Sequence, residues 1–285
     1  MAPWPETSVL HAFRIVVASL TLLTQTASAS DVEWSVLSDG LEVAAWNPQT
    51  RCGGEVPLSM LVKVDPDRFR FAVYHYQDES LSAPLTIREW VRRTGAVVLF
   101  NGGLFREDYS HLGLLLKDGR TLESKRHPQW QGLFVAEPVD PALPRARVLD
   151  LGVERFPSDR PPYREAAQSL MLLDRTGKPR VRRTGKRAHQ TIVAEMQDGH
   201  ILIVKTGDVV PLWELASCLR ESFPAVHQAM AMDGGSSSDM IISEELLAQW
   251  NGGTPDSERQ ALTGLVDGNG MRHIPLPSVI GILPR

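Results

Sequence analysis

The sequence predicts an α/β (α+β) protein: one domain in which a mixed, twisted β-sheet is packed by a few helices and carries its site at strand ends. Segments such as residues 58–64 and 69–74 alternate apolar and polar side chains, as half-buried strands do. A helix whose next element is a buried strand occurs twice. No break in composition marks a second domain, and 285 residues suffice to bury a self-supporting core.

Two pairs of strand patterns predict hairpins. Residues 58–64 and 69–74 flank Asp65-Pro66-Asp67, and these are residue types typical of turns. Residues 191–195 and 201–205 flank a short polar segment that contains an Asp-Gly pair. We therefore expect each pair of strands to form a hairpin.

The remaining elements are less regular. Further strands are predicted at residues 112–117 and 169–173. Residues 137–165 are rich in Pro, Arg and Asp and lack periodicity, which favours a surface loop. A second loop is predicted at residues 255–277.

The two helix–strand units resemble each other. In the first, residues 86–94 form a helix with a threonine cap and a glycine after its end, and the buried strand 96–100 follows. In the second, a helix begins at Pro211, and the buried strand after it covers residues 229–232. The chain thus repeats one local arrangement.

Both units end in a polar residue and two glycines, Asn101-Gly102-Gly103 and Asp233-Gly234-Gly235. At the end of a buried strand, that polar side chain lies at the rim of the sheet, and glycine permits positive φ and close approach of a ligand. Asn-Gly and Asp-Gly are also common dipeptides of plain turns. Two such segments at equivalent strand ends favour one shared site.

Composition and charge exclude several classes of protein. The hydrophobic fraction is 42% and the charged fraction 22%, far from the skewed mixtures of coiled coils, collagens and disordered chains. The chain has 30 Lys and Arg against 34 Asp and Glu, a formal net charge of -4. We expect no nucleic-acid partner, because such binders need a basic surface.

The N-terminus predicts export. Arg14 precedes the apolar run of residues 15–23, and Ala27-Ser28-Ala29 fits a signal-peptidase site. Residues 1–29 are therefore predicted to be a signal peptide, with a domain of residues 30–285 in the periplasm or outside the cell. The alternative, a single-pass anchor, needs a run about twice as long. No later segment reaches eighteen apolar residues, so we expect no integral membrane segment in the mature chain.

The two cysteines leave two interpretations open. Cys52 and Cys218 are far apart in sequence, and an oxidising compartment would permit a disulfide between them. Two buried free thiols are the alternative. The spacing has no zinc signature, because zinc sites use closely spaced pairs.

The sequence lacks the common catalytic motifs. We find no nucleophile elbow, Walker loop, dinucleotide fingerprint or zinc-protease helix. The eight histidines never fall at metal-ligand spacing. An aspartate together with backbone oxygens could still hold calcium or magnesium, so a divalent cation is a possible cofactor.

A basic segment precedes one of the predicted strands. Seven Lys and Arg residues lie within residues 175–187, and most of this run is typical of a solvated turn. Arg187, its last member, directly precedes the strand and could face the site. A guanidinium can bind a phosphate through two parallel hydrogen bonds. Asn101, Arg187 and Asp233 with glycine amides would then form a pocket for a polar, anionic substrate.

These residues carry a resemblance to the phosphodiester glycosidase family. Residues 100–105, Phe-Asn-Gly-Gly-Leu-Phe, resemble its NGG-x-F motif. Four further blocks are similar to the family pattern in the same order: residues 112–119, 167–172, 187–199 and 232–238. The resemblance covers about residues 95–283. Two blocks depart from the pattern: Leu170-Met171 replaces a Gly-Pro pair, and the Arg187 block lacks the usual compact form.

The resemblance implies hydrolysis of a sugar-1-phosphodiester on its glycosidic side, with free sugar and a phosphomonoester as products. Asp233 would be the nucleophile or general base, or would order the sugar. Arg187 would stabilise the departing phosphate, and Asn101 would bind a sugar hydroxyl or a phosphate oxygen. The remaining predicted substrate-binding residues are the amide donors Gly102, Gly103, Gly234 and Gly235, the cap or hydroxyl donor Ser236, and the pocket-wall residues Gln168 and His111.

Two other functions stay open at this point. The same residues would suit a non-catalytic glycan-binding protein of the cell envelope, or a metal-dependent phosphodiesterase that cuts the P–O bond. Glycosidases usually act with two carboxylates. A second acid near Asp233, for which Glu107, Asp108 and Glu195 are the candidates, would favour hydrolysis.

Overall fold

The computed structural model describes Met1 and residues 32–48, 52–123, 125–251, 254–268 and 273–285. The predicted signal peptide and its cleavage site lie outside these residues, apart from Met1. In chain order, the strands are β1 (Ser35–Ser38), β2 (Leu41–Trp46), β3 (Ser59–Val64), β4 (Phe69–His75), β5 (Val98–Asn101), β6 (Leu115–Lys117), β7 (Arg120–Glu123), β8 (Gly132–Pro138), β9 (Ala146–Asp150), β10 (Tyr163–Leu173), β11 (Arg187–Ala188), β12 (Thr191–Met196), β13 (Ile201–Thr206), β14 (Val210–Pro211), β15 (Val226–Ala231), β16 (Met240–Ile242) and β17 (Ser278–Pro284). The helices are α1 (Ile87–Thr94), α2 (Leu212–Ser222), α3 (Glu244–Leu247) and α4 (Asp256–Val266).

The strands form a large and a small sheet, and the pairs among the described strands are antiparallel. The large sheet has the order β1-β2-β3-β13-β12-β15-β10-β6-β7, with β8 joining β10 to β9. The small sheet has the order β16-β5-β17-β4, and β11 pairs with β14 separately. Strand β10 pairs with β8 over its first part and with β15 over its last part. The predicted α+β class is confirmed.

The two sheets pack face to face, and a helix covers each outer surface. Val98 and Phe100 of β5 point into the cluster between the sheets, whereas Leu99 joins Trp90 of α1 on the outside. On the large sheet, Ile192 and Ala194 pack with Leu215 and Leu219 of α2. Because successive strand residues face opposite sides, each central strand is buried on both faces. The result is a helix–sheet–sheet–helix sandwich.

The caps of α1 follow the sequence signals. The Thr86 backbone N–H donates to the Glu89 carboxylate at 2.8 Å, so the carboxylate satisfies a donor ahead of the first turn. Gly95 ends the helix with a φ of 64°, a left-handed conformation that favours glycine. The second predicted helix is also present and begins directly after Pro211.

One predicted hairpin is confirmed and the other is wrong. Strands β12 and β13 pair in register from Thr191 opposite Lys205 to Glu195 opposite Ile201. Strands β3 and β4 both exist, but β3 pairs with β2 and β13 while β4 pairs with β17. The turn at residues 65–67 therefore carries the chain from the large sheet to the small one. Turn chemistry reverses the chain but does not decide which sheet the second strand joins.

The two predicted loops are wrong in part, because each contains a regular element. Residues 137–165 include β9 and the start of β10, and Ala146 and Val148 are buried. Residues 255–277 include α4, whose Leu262 and Val266 reach the core between the sheets. Both elements are short and amphipathic among many polar residues, so composition averaged over the segment conceals them.

Cys52 and Cys218 form a disulfide, which settles the two interpretations left open by the sequence. Their Cα atoms lie 5.5 Å apart, within the range of unstrained bridges. The bridge links the segment before β3 to helix α2. None of the helices in the described residues combines the length and apolarity needed to span a bilayer.

Candidate functional site

The two Asn/Asp-Gly-Gly segments meet, although their strands belong to different sheets. Asn101 ends β5 of the small sheet, and Asp233 follows β15 of the large sheet. The Asn101 side-chain Nδ2 donates to the Asp233 carbonyl at 2.9 Å, and the Asp233 backbone N–H donates to the Gly102 carbonyl at 3.2 Å. The sheets are therefore joined by direct hydrogen bonds at the point where the sequence places the site.

Asn101 holds together the loop of residues 233–239. Its Nδ2 donates both to the Asp233 carbonyl and to the Gly102 carbonyl, and its Oδ1 accepts the Asp239 backbone N–H at 3.1 Å. Both side-chain donors are thus used inside the protein, and the residue is 1% exposed. The geometry of Asn101 is that of a residue that positions Asp233. Its predicted contact with a sugar hydroxyl or phosphate oxygen stays a prediction.

The amides of three glycines are also bonded within the protein. Gly102 donates to the Ser278 carbonyl at 2.9 Å, and Gly235 donates to the His189 carbonyl at 2.9 Å. The Gly234 amide donates to the Asp233 carboxylate at 3.0 Å. A substrate that used these amides, as the sequence predicts, would have to displace these bonds.

The glycines permit close packing at the junction of the sheets. A Cβ at Gly102 would lie 2.3 Å from the Ser278 Oγ, and a Cβ at Gly103 would lie 2.4 Å from the Gln168 carbonyl oxygen. Real Cβ atoms do not approach other atoms this closely. Gly235 instead needs its glycine for a φ of 69° at the start of a 3-10 turn over Gly235–Ser237. The motif therefore fixes the backbone of the site.

The Asp233 carboxyl is the titratable group that this backbone presents. Burial raises its pKa to about 6, while hydrogen bonds from Ser237 and from the Gly234 amide oppose the shift. A carboxyl with a pKa near neutrality can accept or release a proton under ordinary conditions. Ser236 is exposed beside it, and its hydroxyl is available to a ligand on the surface of the loop.

A buried lysine lies under the same loop and was missed by sequence reasoning. Lys205 of β13 is 0% exposed, and its Nζ donates to the Ser238 Oγ at 3.0 Å. Ser238 in turn shares a hydrogen bond of 2.9 Å with the Thr191 hydroxyl. Burial lowers the Lys205 pKa to about 8, with Asp239 opposing the shift. The available signal was a lysine in the strongly apolar strand Ile201–Thr206, since lysines are almost never fully buried without a partner.

A second carboxylate on the same loop is Asp239, which the sequence did not single out. Its Oδ2 lies 2.5 Å from the His273 Nδ1, and the other ring nitrogen of His273 lies 2.7 Å from the Gly268 carbonyl oxygen. Burial raises the Asp239 pKa, and the hydrogen bond and charge of His273 oppose that shift. Asp233 and Asp239 thus stand at the two ends of one loop, and Asn101 binds the backbone of both.

The three predicted second acids have other partners or lie on the surface. Glu195 bonds to Arg147 and to the Val148 amide, and Asp108 bonds to Ser110. Glu107 is exposed. In the described part of the chain, no hydrogen bond joins any of them to Asp233.

Arg187 is placed at the surface. It is in β11, beside β14, and its guanidinium donates to the Glu55 carboxylate and to the Val209 carbonyl. The side chains of this ion pair are 45% and 49% exposed. Exposed ion pairs contribute only about 0–1 kcal/mol, so an incoming phosphate could replace Glu55. The phosphate-clamping role of Arg187 stays a prediction.

Gln168 and His111 differ sharply in how their polar atoms are used. The Gln168 Oε1 accepts the amides of Leu114 and His127 at 2.9 and 3.0 Å, and its Nε2 donates to two backbone carbonyls. Gln168 therefore ties strands together and has no free donor for a ligand. His111 is 2% exposed, and neither of its ring nitrogens makes a well-formed hydrogen bond with the described residues.

The arrangement defines a class of protein: a two-sheet α+β domain that presents a partly buried carboxyl, with its pKa raised to about 6, on a glycine-rich loop at the junction of its sheets. The family model for phosphodiester glycosidases matches residues 94–266. The chain belongs to the phosphodiester glycosidase family. No curated protein matches it at a significant level.

Solved structures with the same fold share little sequence with this chain. The catalytic domain of zebrafish N-acetylglucosamine-1-phosphodiester alpha-N-acetylglucosaminidase, auto-inhibited by its pro-peptide, is 14% identical with a TM-score of 0.61, and the match covers 89% of this chain and 88% of that one. A hypothetical protein from Synechocystis is 12% identical with a TM-score of 0.60, covering 90% of this chain and 64% of that chain. A Burkholderia pseudomallei protein described as exported is 11% identical with a TM-score of 0.51, covering 80% and 74%. At these identities the likeness establishes the fold alone.

Proposed function

We propose that this protein is an exported hydrolase that cleaves a sugar-1-phosphodiester on the glycosidic side, releasing free sugar and a phosphomonoester. The observation that carries the proposal is the Asp233 carboxyl, which is partly buried, has its pKa raised to about 6, and is held by a loop that two sheets fix in place. Strongly perturbed carboxyls on rigid supports are common at catalytic sites. Membership of the family agrees with this reaction class.

The proposed chemistry assigns different tasks to the two ends of the substrate. Asp233, ionised above its pKa, acts on the anomeric side as nucleophile or general base. The phosphate leaves as a stable anion, so it needs less protonation than a sugar alkoxide, and a positive charge can replace the general acid. Arg187 supplies that charge after exchanging Glu55 for the phosphate. Asn101 positions Asp233, because its amide holds both ends of the loop.

Export and a divalent cation remain separate proposals. The disulfide between Cys52 and Cys218 supports an oxidising compartment, such as the periplasm or the outside of the cell. In the residues that the structure describes, no group of three or more His, Cys, Asp or Glu side chains is arranged to hold a metal. Calcium or magnesium as a cofactor stays a prediction.

The test is a product analysis with the purified protein. We would incubate it with a panel of sugar-1-phosphodiesters and identify the products by mass spectrometry, beside Asp233→Asn and Arg187→Ala. We expect free sugar and a phosphomonoester, with at least a hundredfold loss of turnover for Asp233→Asn. Asp198→Asn, on the exposed turn between β12 and β13, is the matched control and should retain activity. Unchanged turnover in both site variants would contradict the assignment.

Glycan binding without catalysis is the second candidate. The observation in its favour is that Asp239, the other carboxylate of the loop, is already bonded to His273 rather than free beside Asp233. Binding of a sugar phosphodiester without any product would support this function. Release of a sugar-1-phosphate would instead indicate cleavage of the P–O bond, and loss of that activity with a chelator would establish a metal-dependent phosphodiesterase.

A further inference from the structure

We propose that a small cavity next to Gly103 binds one neutral sugar unit of the substrate through the two imidazoles of His75 and His111. The cavity, called here the imidazole pocket, has a volume of about 270 Å³ and lies between the end of β4, the segment before β6, and β7. The choice of a sugar as ligand rests on the proposed function. The presence of a ligand site does not rest on the proposed function, because it is argued from the pocket and from the buried His111 alone.

The main evidence for a ligand is the buried imidazole of His111, whose ring nitrogens need a hydrogen-bond partner. It is 2% exposed, and neither ring nitrogen has a well-formed hydrogen bond among the described residues. A buried polar atom left unpaired costs about 1–3 kcal/mol, so such atoms in native proteins usually have a purpose. Burial lowers the His111 pKa to about 3; the neighbouring His75 adds to the shift, and a loose hydrogen bond with the Gln168 backbone opposes it. The imidazole is therefore neutral at every physiological pH.

The chemistry of the lining favours a hydroxyl over an anion. A neutral imidazole has one donor and one acceptor nitrogen, and a hydroxyl both donates and accepts. The described residues that line the pocket include the carboxylates of Asp78 and Glu123 and neither Lys nor Arg. Asp78 already pairs with Lys117 and Arg120, each at 2.9 Å. A phosphate would meet carboxylates, and the described residues of the lining offer no free cation to compensate for them.

The size and the apolar wall of the pocket limit the ligand further. Pockets for drug-sized ligands have volumes of about 300–1,000 Å³, so a volume of about 270 Å³ suits a smaller molecule. Leu115 and Leu122 form part of the wall. A single sugar ring has both features that this lining requires, hydroxyl groups around its edge and a face of C–H groups.

One segment of backbone connects the pocket to the Asp233 loop. A Cβ at Gly103 would lie 2.8 Å from the His111 Cε1, so Gly103 packs directly on the imidazole. The preceding residue, Gly102, accepts the backbone N–H of Asp233. A glycan that occupies the pocket would thus be anchored by the same tripeptide that positions the reactive carboxyl.

The first test is a titration followed by NMR of the imidazole signals. The purified protein is titrated in turn with glucose, galactose, mannose and N-acetylglucosamine. We expect at least one sugar to shift the signals of His75 and His111. His111→Phe keeps the ring and removes both nitrogens, and it should weaken that sugar at least tenfold. His200→Phe, on the turn between β12 and β13, is the matched control and should bind as the parent does.

A second variant tests the pocket without changing a buried residue, in case His111→Phe does not fold. Gln77 is exposed at the rim of the pocket, so Gln77→Trp should cover the entrance and weaken binding while leaving His111 in place. Gln197→Trp, at an exposed glutamine on the β12–β13 turn, should have no effect. The inference is overturned if the parent binds none of the four sugars, or if both pocket variants bind as the parent does. It is also overturned if Zn²⁺ or inorganic phosphate occupies the pocket instead.

Hydrolysis is measured on the same variants, so that the two proposals can fail separately. Hydrolysis of a phosphodiester with sugar binding unaffected by the pocket variants would overturn the pocket and leave the function. Sugar binding that depends on His111, with no hydrolysis of any substrate, would support the pocket and overturn the hydrolase proposal.

Discussion

At the scale of a single residue, the Asp233 carboxyl lowers the stability of the fold. A buried carboxyl is destabilising when it is ionised, because it loses the solvation it has in water. The surrounding groups that lower its pKa, Ser237 and the Gly234 amide, do not cancel the effect of burial. Retaining such a group is understandable where its chemistry is used, and stability and activity are often opposed at functional sites.

Because the ionised carboxyl is destabilising, we expect Asp233→Asn to stabilise the folded protein, and by more at high pH than at low pH. The pKa of Asp233 in the folded state, about 6, is higher than the ordinary value of 3.8. The protonated carboxyl therefore makes its full favourable contribution to the free energy of unfolding below pH 3.8, and this contribution is lost as the pH rises through 6. At pH 8 the asparagine variant should therefore be more stable by about 1–3 kcal/mol. Urea unfolding at pH 5 and pH 8 measures the difference. Asp198→Asn is the control, and an equal effect of Asp233→Asn at both pH values would refute the prediction.

At the scale of the element, strand β10 joins the two sheets through one side chain. The Glu165 carboxylate accepts the Val73 amide of β4 at 2.7 Å and the Asp118 amide at 2.9 Å. Glu165 is 3% exposed, and burial raises its pKa to about 7. The same strand carries Gln168, whose amide group binds the backbone of the neighbouring segments. Strand β10 thus stabilises the structure behind the site.

Removal of the Glu165 carboxylate should destabilise the fold. Glu165→Ala leaves the buried Val73 N–H and the partly buried Asp118 N–H without an acceptor and should lower the free energy of unfolding by about 2–4 kcal/mol. Equilibrium urea denaturation at pH 7 measures the change. Glu42→Ala removes a partly exposed pair with Lys63 on neighbouring strands and should cost less than about 1 kcal/mol. Equal effects of the two substitutions would show that Glu165 does not hold the sheets together.

At the scale of the whole molecule, the disulfide closes a very long loop. Cys52 and Cys218 are 166 residues apart, so the bridge restricts most of the unfolded chain. It attaches the segment before β3 to α2, the helix that covers the outer face of the large sheet. The two-sheet core is extensive without it, so we expect the bridge to add stability rather than to determine the fold.

The double variant Cys52→Ser/Cys218→Ser should remain folded but lose about 2–4 kcal/mol of unfolding free energy. Guanidinium unfolding, with circular dichroism to establish the native fold, measures the loss. The parent protein in a reducing agent is the matched control and should unfold at the same denaturant concentration as the double variant. If reduction leaves the midpoint of the parent unchanged, the disulfide does not contribute to stability.

Sequence patterns by themselves determined several local elements and predicted where the candidate site lies. Periodicity and turn residues predicted the β12–β13 hairpin and the caps of α1, because these depend on neighbours within a few residues. The repeated polar-Gly-Gly ends predicted that Asn101 and Asp233 share a site. The family resemblance added the reaction class, which the family model supports at the level of the family.

Only the tertiary structure decided how these parts are used. The pattern of residues 58–64 cannot say which sheet receives the next strand, since sheet membership depends on residues more than a hundred positions away. The roles of Asn101 and Gln168 depended on which backbone groups they reach, and the burial of Lys205 depended on the loop that covers it. Short-range patterns encode local conformation, whereas a site is built from long-range contacts that exist only after the sheets have packed.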